Sequence, residues 1–266
     1  MTLTLSHGPL SGRPPPTVNY EIEGPQHRLF FQDFPRRVRA VLAGETVADT
    51  RRGKLLHETG ILPQLYVPER DIRADLLAPT GHSTHCPFKG DASYWSVSAG
   101  ERSVENAVWA YQDPVPESGW LHGYRGIYWD AMDAWLDEDE QVTGHLCDPY
   151  HRVDIRRTSR AVRVLVDGAV IAESGRSALL SETGLPNRHY IPRDDVSVDL
   201  LEHSDTTTVC PYKGTTTYWS LRLPDRRVED VAWSYPDPLD AALKVREYLC
   251  FSHDAITVEI DGEDSD

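Results

Sequence analysis

Short runs of alternating apolar and polar residues recur along this 266-residue chain. Residues 37–42 and 161–166 follow this pattern, which is typical of a β-strand with one buried face. A turn signal follows each run, Gly44 in the first case and Asp167-Gly168 in the second. Asp-Gly between apolar runs is a strong hairpin signal. The pattern therefore predicts a β-hairpin at each place, with the return strand directly after the turn.

The other apolar runs are short, rich in β-branched and aromatic residues, and separated by glycine and proline. Such runs predict further strands. They lie around residues 66–68, 93–97, 107–111, 218–221 and 231–235. An aspartate before spaced aliphatic residues predicts one short helix in each half. The residues concerned are Asp71, Ile72, Leu76 and Leu77, and then Asp195, Val196, Leu200 and Leu201. The predicted fold class is mainly β.

The chain contains the same sequence pattern twice. Cys86-Pro87-Phe88-Lys89-Gly90 recurs as Cys210-Pro211-Tyr212-Lys213-Gly214, at an offset of 124 residues. The same offset relates Glu58-Thr59-Gly60 to Glu182-Thr183-Gly184. Each copy has the size of a whole small domain, about 100–150 residues. We therefore predict a tandem duplication of one compact domain.

The repeat also predicts where the domains begin and end. Residues 1–16 are rich in proline, glycine and serine, which predicts a disordered tail. We place a first β domain at 17–143, a connector at 144–159 and a second β domain at 160–266.

Composition and charge narrow the possible functions. The net charge of −15 disfavours nucleic-acid binding, because binding to phosphates depends on lysine and arginine. No apolar run is long enough to span a membrane, and the N-terminus lacks the pattern of a secretory signal. We predict a cytoplasmic protein with reduced cysteines, a small-molecule ligand and no cofactor. The sequence leaves the oligomeric state open.

The Cys-Pro-Phe/Tyr-Lys-Gly pentapeptide is the first candidate site. Proline fixes φ and glycine permits positive φ, so the pentapeptide predicts a tight turn. Lys89 and Lys213 are candidate ligand-binding cations. A lysine three residues from a cysteine could also activate the thiol, which makes Cys86 and Cys210 candidate nucleophiles. The alternative is that both cysteines are small buried apolar residues and that both lysines reach solvent.

Aromatic residues that recur in both copies form the second candidate site. Adjacent strand residues face opposite sides and residues two apart face the same side. Trp109 and Tyr111 therefore share a face, whereas only one of Tyr94 and Trp95 can point into a given core. The predicted ligand-stacking residues are Tyr94, Trp95, Trp109, Tyr218, Trp219 and Trp233. Ordinary core packing is the alternative for all of them.

Carboxylates and possible metal ligands complete the candidates. Glu58 and Glu182 recur within the Glu-Thr-Gly sequence, so they are the predicted proton-transfer residues, with a turn-stabilising role as the alternative. The segment His82-Ser83-Thr84-His85-Cys86 offers zinc-type donors, but no second cluster completes a tetrahedral set. We therefore predict no metal site.

The two copies differ in histidine content. The first has His57, His82 and His85, and the second has Ser181, Thr206 and Val209 at these positions. Only imidazole titrates near neutral pH. If one copy holds the working site, this difference favours the first copy. The Trp233-Ser234-Tyr235-Pro236 sequence instead favours the second copy as the working site.

Together, these residues resemble the domain of unknown function 427 family over about residues 36–133 and 160–257. The resemblance rests on the order Arg-Val-Arg, Glu-Thr-Gly, Tyr-x-Pro, Cys-Pro-Phe/Tyr-Lys-Gly, Tyr-Trp and Trp-x-Tyr-x-Asp-Pro. It implies a compact, mostly-β domain similar to the β-tent folds, and a two-copy member of the family. Those folds often carry a zinc knuckle, but this chain lacks the paired Cys-x-x-Cys. The family is also labelled nucleotidyltransferase-like, yet the chain has no phosphate or metal motif for that activity.

The sequence thus predicts a small-molecule-binding protein with a pocket at each Cys-Pro-Phe/Tyr-Lys-Gly turn. One alternative is an enzyme that transfers a group to, or hydrolyses, a small polar substrate with cysteine, lysine and glutamate. The other is a purely structural or protein-interaction domain.

Overall fold

Antiparallel β-strands make up most of the regular structure in the computed structural model, which describes residues 3–13, 17–19 and 21–264. The chain divides into two units between Asp148 and Pro149. This confirms the predicted mainly-β tandem duplication.

Each unit contains a seven-stranded and a four-stranded sheet. In the first unit the orders are β1-β4-β5-β9-β8-β7-β6 and β11-β10-β2-β3. The strands are β1 (Leu29–Asp33), β2 (Val38–Leu42), β3 (Glu45–Thr50), β4 (Lys54–Glu58), β5 (Ile61–Pro68), β6 (Leu77–Cys86), β7 (Gly90–Ala99), β8 (Arg102–Tyr111), β9 (Tyr124–Ile127), β10 (Ala134–Asp137) and β11 (Glu140–Val142).

The second unit repeats this order, as β12-β15-β16-β22-β21-β20-β17 and β14-β13-β23-β24, and adds the pair β18-β19. The strands are β12 (Val153–Arg157), β13 (Val162–Val166), β14 (Ala169–Ser174), β15 (Ala178–Glu182), β16 (Arg188–Ile191), β17 (Leu201–His203), β18 (Val209–Cys210), β19 (Gly214–Thr215), β20 (Thr217–Arg222), β21 (Arg227–Ser234), β22 (Leu249–Phe251), β23 (Thr257–Ile260) and β24 (Glu263–Asp264).

The predicted hairpins β2–β3 and β13–β14 are confirmed. Their turn residues all have positive φ, as a two-residue hairpin loop of this type requires. These residues are Ala43 and Gly44 in the first unit, and Asp167 and Gly168 in the second. Glycine and aspartate tolerate this region better than most residues do, which explains Gly44, Asp167 and Gly168 but not Ala43.

The helical segments differ in detail from the prediction. Asp71 ends one single-turn 3₁₀ helix and a second follows it, in place of one short helix capped by Asp71. The Asp71 carboxylate instead accepts hydrogen bonds from Thr50 and Arg52. The 3₁₀ helices are Glu69–Asp71, Ala74–Leu76, Pro116–Leu121, Trp129–Ala131, Arg193–Asp195, Val198–Leu200 and Asp240–Val245.

The predicted connector, 144–159, is not a linker over its whole length. Leu146 is buried in the core of the first unit, and β12 forms an edge strand of the second. Side chains alternate between the two faces of a strand, and Ile155 of β12 points to the face that packs into the core of the second unit. This packing explains why β12 belongs to the sheet. The connector therefore contributes to both units.

The part of the predicted tail that is described, 3–13, contacts the β4–β5 turn. The Gly60 N–H donates to the Thr4 carbonyl at 2.9 Å, and the Thr59 hydroxyl donates to the Leu10 carbonyl at 2.7 Å. Residues 1, 2 and 14–16 of the tail lie outside the described residues. Within the described ranges, no helix is long and apolar enough to cross a membrane.

Each large sheet carries apolar side chains on both faces. In the first unit one face packs against the small sheet and includes Trp95, and the other carries Tyr94, Trp109 and Tyr111. We call the first the inter-sheet core and the second the tyrosine face. In the second unit Ile191 belongs to the inter-sheet core and Tyr190 to the tyrosine face. The candidate site residues Tyr94 and Trp109 lie on the tyrosine face, whereas Trp95 lies in the inter-sheet core.

Candidate functional site

The repeated pentapeptide forms the predicted tight turn in both units. In the first unit it connects β6 to β7, and the Lys89 N–H donates to the Cys86 carbonyl at 3.2 Å. In the second, the Lys213 N–H donates to the Cys210 carbonyl at the same distance. The turn therefore fixes the position from which each lysine side chain leaves the backbone.

Glycine is required at the end of this turn for two reasons. Gly90 has a φ of 101°, and a Cβ there would lie 3.3 Å from the Asp113 carbonyl oxygen. Gly214 has a φ of 103°, and its Cβ would lie 3.2 Å from the Asp237 carbonyl oxygen. Positive φ and close backbone approach both favour residues without a Cβ. The Asp-Pro segment of the last repeated motif thus packs directly against the turn.

The Lys89 side chain turns inward and pairs with Glu58. The second Glu58 oxygen accepts a hydrogen bond from His27 Nε2 at 2.8 Å. Lys89 is 7% exposed and Glu58 is 6% exposed, so the ion pair is buried. The three side chains form one connected group, which we call the first trio.

The second unit repeats this arrangement in full. Lys213 pairs with Glu182, and His151 Nε2 donates to the other Glu182 oxygen at 2.9 Å. The members of this second trio each lie 124 residues after their counterparts in the first. An aromatic ring of the pentapeptide stacks on each histidine, at a centroid distance of 3.8 Å for Phe88 on His27 and 4.1 Å for Tyr212 on His151.

The first trio joins parts of the large sheet that are far apart in strand order. Glu58 ends β4, which lies next to the edge strand β1, and Lys89 follows β6 at the opposite edge. His27 precedes β1, whose Leu29 is paired with Glu58. The sheet must therefore curve so that its two edges approach each other on the tyrosine face.

Each carboxylate balances the charge of its lysine inside the protein. An uncompensated buried charge is costly, and a pair is tolerated when its hydrogen bonds are satisfied. Burial by itself raises the pKa of Glu182, but the hydrogen bonds from His151 and Lys213 outweigh it. The pKa of Glu182 therefore lies below its ordinary value. The Glu182 carboxylate is thus held in its charged form.

Tyrosine and tryptophan side chains surround both trios. The Trp109 indole N–H donates to the Tyr66 hydroxyl at 3.3 Å, and Trp233 donates to Tyr190 at 3.0 Å. The Lys89 ammonium lies 5.8 Å from the centre of the Tyr111 ring. Burial raises the pKa of Tyr66, Tyr111 and Tyr190 above the ordinary value. These hydroxyls remain protonated and can donate hydrogen bonds.

The predicted aromatic residues are divided between two faces. Tyr94 and Trp109 lie on the tyrosine face, whereas Trp95 lies in the inter-sheet core with Arg125 over its ring. Trp219 packs against the inter-sheet core of the second unit, while the Tyr218 ring lies 6.2 Å from Trp233. Side-chain alternation along the strand explains the separation. The structure therefore does not bring Trp95 or Trp219 to the trios.

The cysteines of the two turns are partly buried. Lys89 and Lys213 direct their ammonium groups to the glutamates, and each ammonium is already balanced by a carboxylate. In the second unit, burial raises the pKa of Cys250 to about 12, which makes that thiol inert.

The three histidines that distinguish the first copy are not brought together. His57 is 0% exposed, and burial lowers its pKa. The His82 ring packs 4.5 Å from the Tyr94 ring, and His85 pairs with Asp91 at 2.6 Å on the surface. In the described part of the chain, no three His, Cys, Asp or Glu side chains are arranged to hold a metal ion.

Sequence reasoning missed His27 and His151. A signal was available, because His27-Arg28 and His151-Arg152 also repeat at the offset of 124 residues. The lysine composition was a second signal. The chain has only four lysines, and two of them, Lys89 and Lys213, occupy the matched trio positions.

A shallow cleft of about 350 Å³ lies on the first unit alongside the tyrosine face. Phe31 and Trp120 stack there at 4.8 Å, with Tyr124 and Lys54 at the sides. The position of Trp120 is Lys244 in the second unit, whose ammonium donates to a backbone carbonyl. The aromatic side chain that Trp120 contributes to this cleft therefore has no counterpart at the matched position of the second unit.

Comparison with protein families gives two matches, one in each unit. The model of a family described as a domain of unknown function (DUF427) matches residues 31–138 and again residues 154–262. No curated protein matches the chain. The two matched segments contain the glutamate and the lysine of each trio, whereas both histidines lie just before them.

Proposed function

We propose, from the premise that this chain belongs to the domain of unknown function (DUF427) family in both of its halves, that it binds a small polar molecule at each trio. The observation that carries this proposal is the repetition of a buried lysine–glutamate ion pair with a hydrogen-bonded histidine in both units. Buried ion pairs contribute little net stability compared with apolar residues of the same shape. Their presence at two matched positions favours a role in function.

The chemistry of the trio suits a polar ligand. The histidine is its most accessible member in the first unit, where the His27 side chain is 24% exposed and Glu58 and Lys89 lie behind it. Imidazole can donate or accept a hydrogen bond, and it exchanges protons near neutral pH. Phe88 is exposed and stacks on His27, so it offers an apolar surface at the same place.

Ligand titration tests this proposal. Trp109 and Trp233 hydrogen-bond to tyrosines beside the trios, so tryptophan fluorescence should report occupancy against a panel of nucleotides, sugars and amines. We expect saturable binding of at least one panel member. Changing Lys89→Met together with Lys213→Met should weaken that binding at least tenfold.

The two lysines outside the trios provide a matched control. Lys54→Met together with Lys244→Met removes the same number of charges and should leave the titration unchanged. If the trio variant does not fold, His27→Phe with His151→Phe takes its place. Unchanged binding in a folded trio variant would remove the main support for the proposal.

The enzyme alternative rests on one further observation. Cys86 is only partly buried and lies on the same turn as Lys89, whose ammonium group bonds to Glu58. A thiol and a candidate proton-transfer carboxylate therefore both lie near Lys89. In that case Cys86 or Cys210 is the nucleophile. Thiol labelling faster than in an unfolded peptide would favour this alternative, and labelling no faster would make both cysteines structural.

The structural alternative is that each trio only holds the two edges of the large sheet close to each other. The observation in its favour is that the Lys89–Glu58 pair joins β4, which lies next to one edge of the sheet, to the turn after β6 at the other edge. The proposed cytoplasmic location and the absence of nucleic-acid and membrane partners remain predictions from composition.

A further inference from the structure

The inter-sheet cores of the two units are filled differently. The first unit packs Phe34, Leu65 and Trp135 between its sheets, and Trp129 stacks on Trp135 at a centroid distance of 4.6 Å. In the second unit a cleft of about 1040 Å³ lies among the residues that line the same layer. The difference arises from the side chains at a few matched positions.

Strand pairing identifies those positions. Trp135 pairs with Ala40 in the first unit, and Val258 pairs with Val164, the counterpart of Ala40, in the second. Val258 therefore stands where the first unit has Trp135. The pairing Leu55 with Leu65 corresponds in the same way to Leu179 with His189.

One further position follows from a backbone hydrogen bond, and another from the repeat offset. The Phe34 N–H donates to the Gly53 carbonyl, and at the matched position the Thr158 N–H donates to Ser177. The residue that matches Trp129 at the offset of 124 is His253, which is exposed. Three of the four replacements are polar and the fourth, Val258, is much smaller than tryptophan.

The buried wall of the cleft is aliphatic and aromatic, whereas its rim is polar and charged and includes Arg160, Asp254 and Glu263. Val162, Val164, Ile191 and Phe251 line it from the buried side, and Val258 is only partly buried at its edge. A volume of this size is typical of sites for small organic molecules, about 300–1,000 Å³. The buried wall, as distinct from the polar rim, favours a ligand with an apolar body.

One polar side chain within the buried wall provides a hydrogen-bonding group. His189 lines the cleft, is 8% exposed, and shares a hydrogen bond between Nδ1 and the Ser177 hydroxyl at 3.2 Å. Its Nε2 has no hydrogen-bond partner among the described residues. Burial, together with the charge of Arg160, lowers the pKa of His189. The ring is therefore neutral near neutral pH, and it suits an uncharged polar group.

We propose that this cleft of the second unit binds a flat, uncharged aromatic molecule that hydrogen-bonds to His189 Nε2. The first unit shows which chemistry the layer accepts, because a stacked pair of indole rings occupies the corresponding place there. The ligand replaces these rings between the sheets, and His189 selects a molecule with a polar group. This site is distinct from the trios on the tyrosine face.

The test uses N-phenyl-1-naphthylamine, a neutral aromatic amine whose fluorescence rises in an apolar site. The full chain should bind one equivalent saturably. Val258→Trp restores the first unit's residue and should weaken binding at least tenfold. Val170→Trp adds the same ring at an exposed position on β14, outside the cleft, and should have no effect.

A second variant keeps the proposal falsifiable if Val258→Trp fails to fold. His189→Leu introduces the first unit's residue and removes one hydrogen bond, so binding should weaken about threefold to tenfold. Absence of saturable binding to the full chain would overturn the proposal. So would equal binding by a folded Val258→Trp variant, or an equal loss in Val170→Trp.

Discussion

The tyrosine face and the inter-sheet core have changed to different extents between the two units. On the tyrosine face, the trio of His27, Glu58 and Lys89 recurs with the same residue types and the same bonds. In the inter-sheet core, Trp135 is replaced by Val258 and Leu65 by His189. A duplication that varies its apolar core and keeps its buried charges is the reverse of what stability alone favours.

This contrast separates two kinds of buried residue. Apolar cores tolerate substitution when the volume is approximately kept, and they lose stability when it is not. A buried ion pair gives little stability to justify retaining it, so its repetition points to function. The following predictions test each side of this contrast.

The largest effect is expected in the first unit's inter-sheet core. Trp135→Ala should destabilise its unit by about 4 kcal/mol, because it leaves a cavity among buried side chains. Val258→Ala at the matched position should cost only about 1 kcal/mol, since Val258 already borders a cleft. Urea unfolding of both variants measures the difference. Equal losses would mean that the two layers are packed alike.

The next effect concerns the trios and should be the same in both units. Glu58→Gln leaves the Lys89 ammonium buried without a carboxylate and should cost about 3 kcal/mol. Glu182→Gln should have the same effect on the second unit. Adding Lys89→Met to Glu58→Gln should restore most of the loss. A double variant as unstable as the single one would contradict this explanation.

A smaller effect is expected at the turn. Gly90→Ala and Gly214→Ala should each cost about 2 kcal/mol, because both glycines combine positive φ with a close backbone oxygen. Gly81→Ala is the control, since no atom lies within 4 Å of its added Cβ. Thermal unfolding distinguishes the three. A loss at Gly81 as large as at Gly90 would show that the turn geometry is not the cause.

The smallest effect is a pH dependence that the second unit's core should show. Burial lowers the folded-state pKa of His189, so the unfolded state binds more protons below the ordinary value of about 6.5. Stability should therefore fall as the pH drops below about 6.5. His189→Leu should flatten the unfolding profile between pH 7 and 5, and an unchanged profile would assign the dependence to other groups.

The sequence alone predicted the features that depend on local patterns. The hairpins follow from Gly44 and Asp167-Gly168, and the opposite faces of Tyr94 and Trp95 follow from strand alternation. The duplication followed from the constant offset, which needs no structure.

The sequence did not predict which residues meet. Lys89 reaches Glu58 only because the curved sheet brings its two edges together, and His27 joins them through the pairing of β1 with β4. The cleft of the second unit was not predicted from the sequence either. It depends on the absence of several large side chains from one layer, and the register needed to match Val258 to Trp135 comes from the strand pairing.

The central claim is that the trios serve a ligand and are not merely clamps that hold the fold. The most direct test replaces the first trio with apolar residues of similar shape, His27→Phe, Glu58→Met and Lys89→Met, and measures stability and ligand titration on the same protein. We predict a free energy of unfolding within about 1 kcal/mol of the original and loss of binding to the first unit. A loss of more than about 3 kcal/mol with unchanged ligand binding would contradict the claim and make the trio a structural clamp.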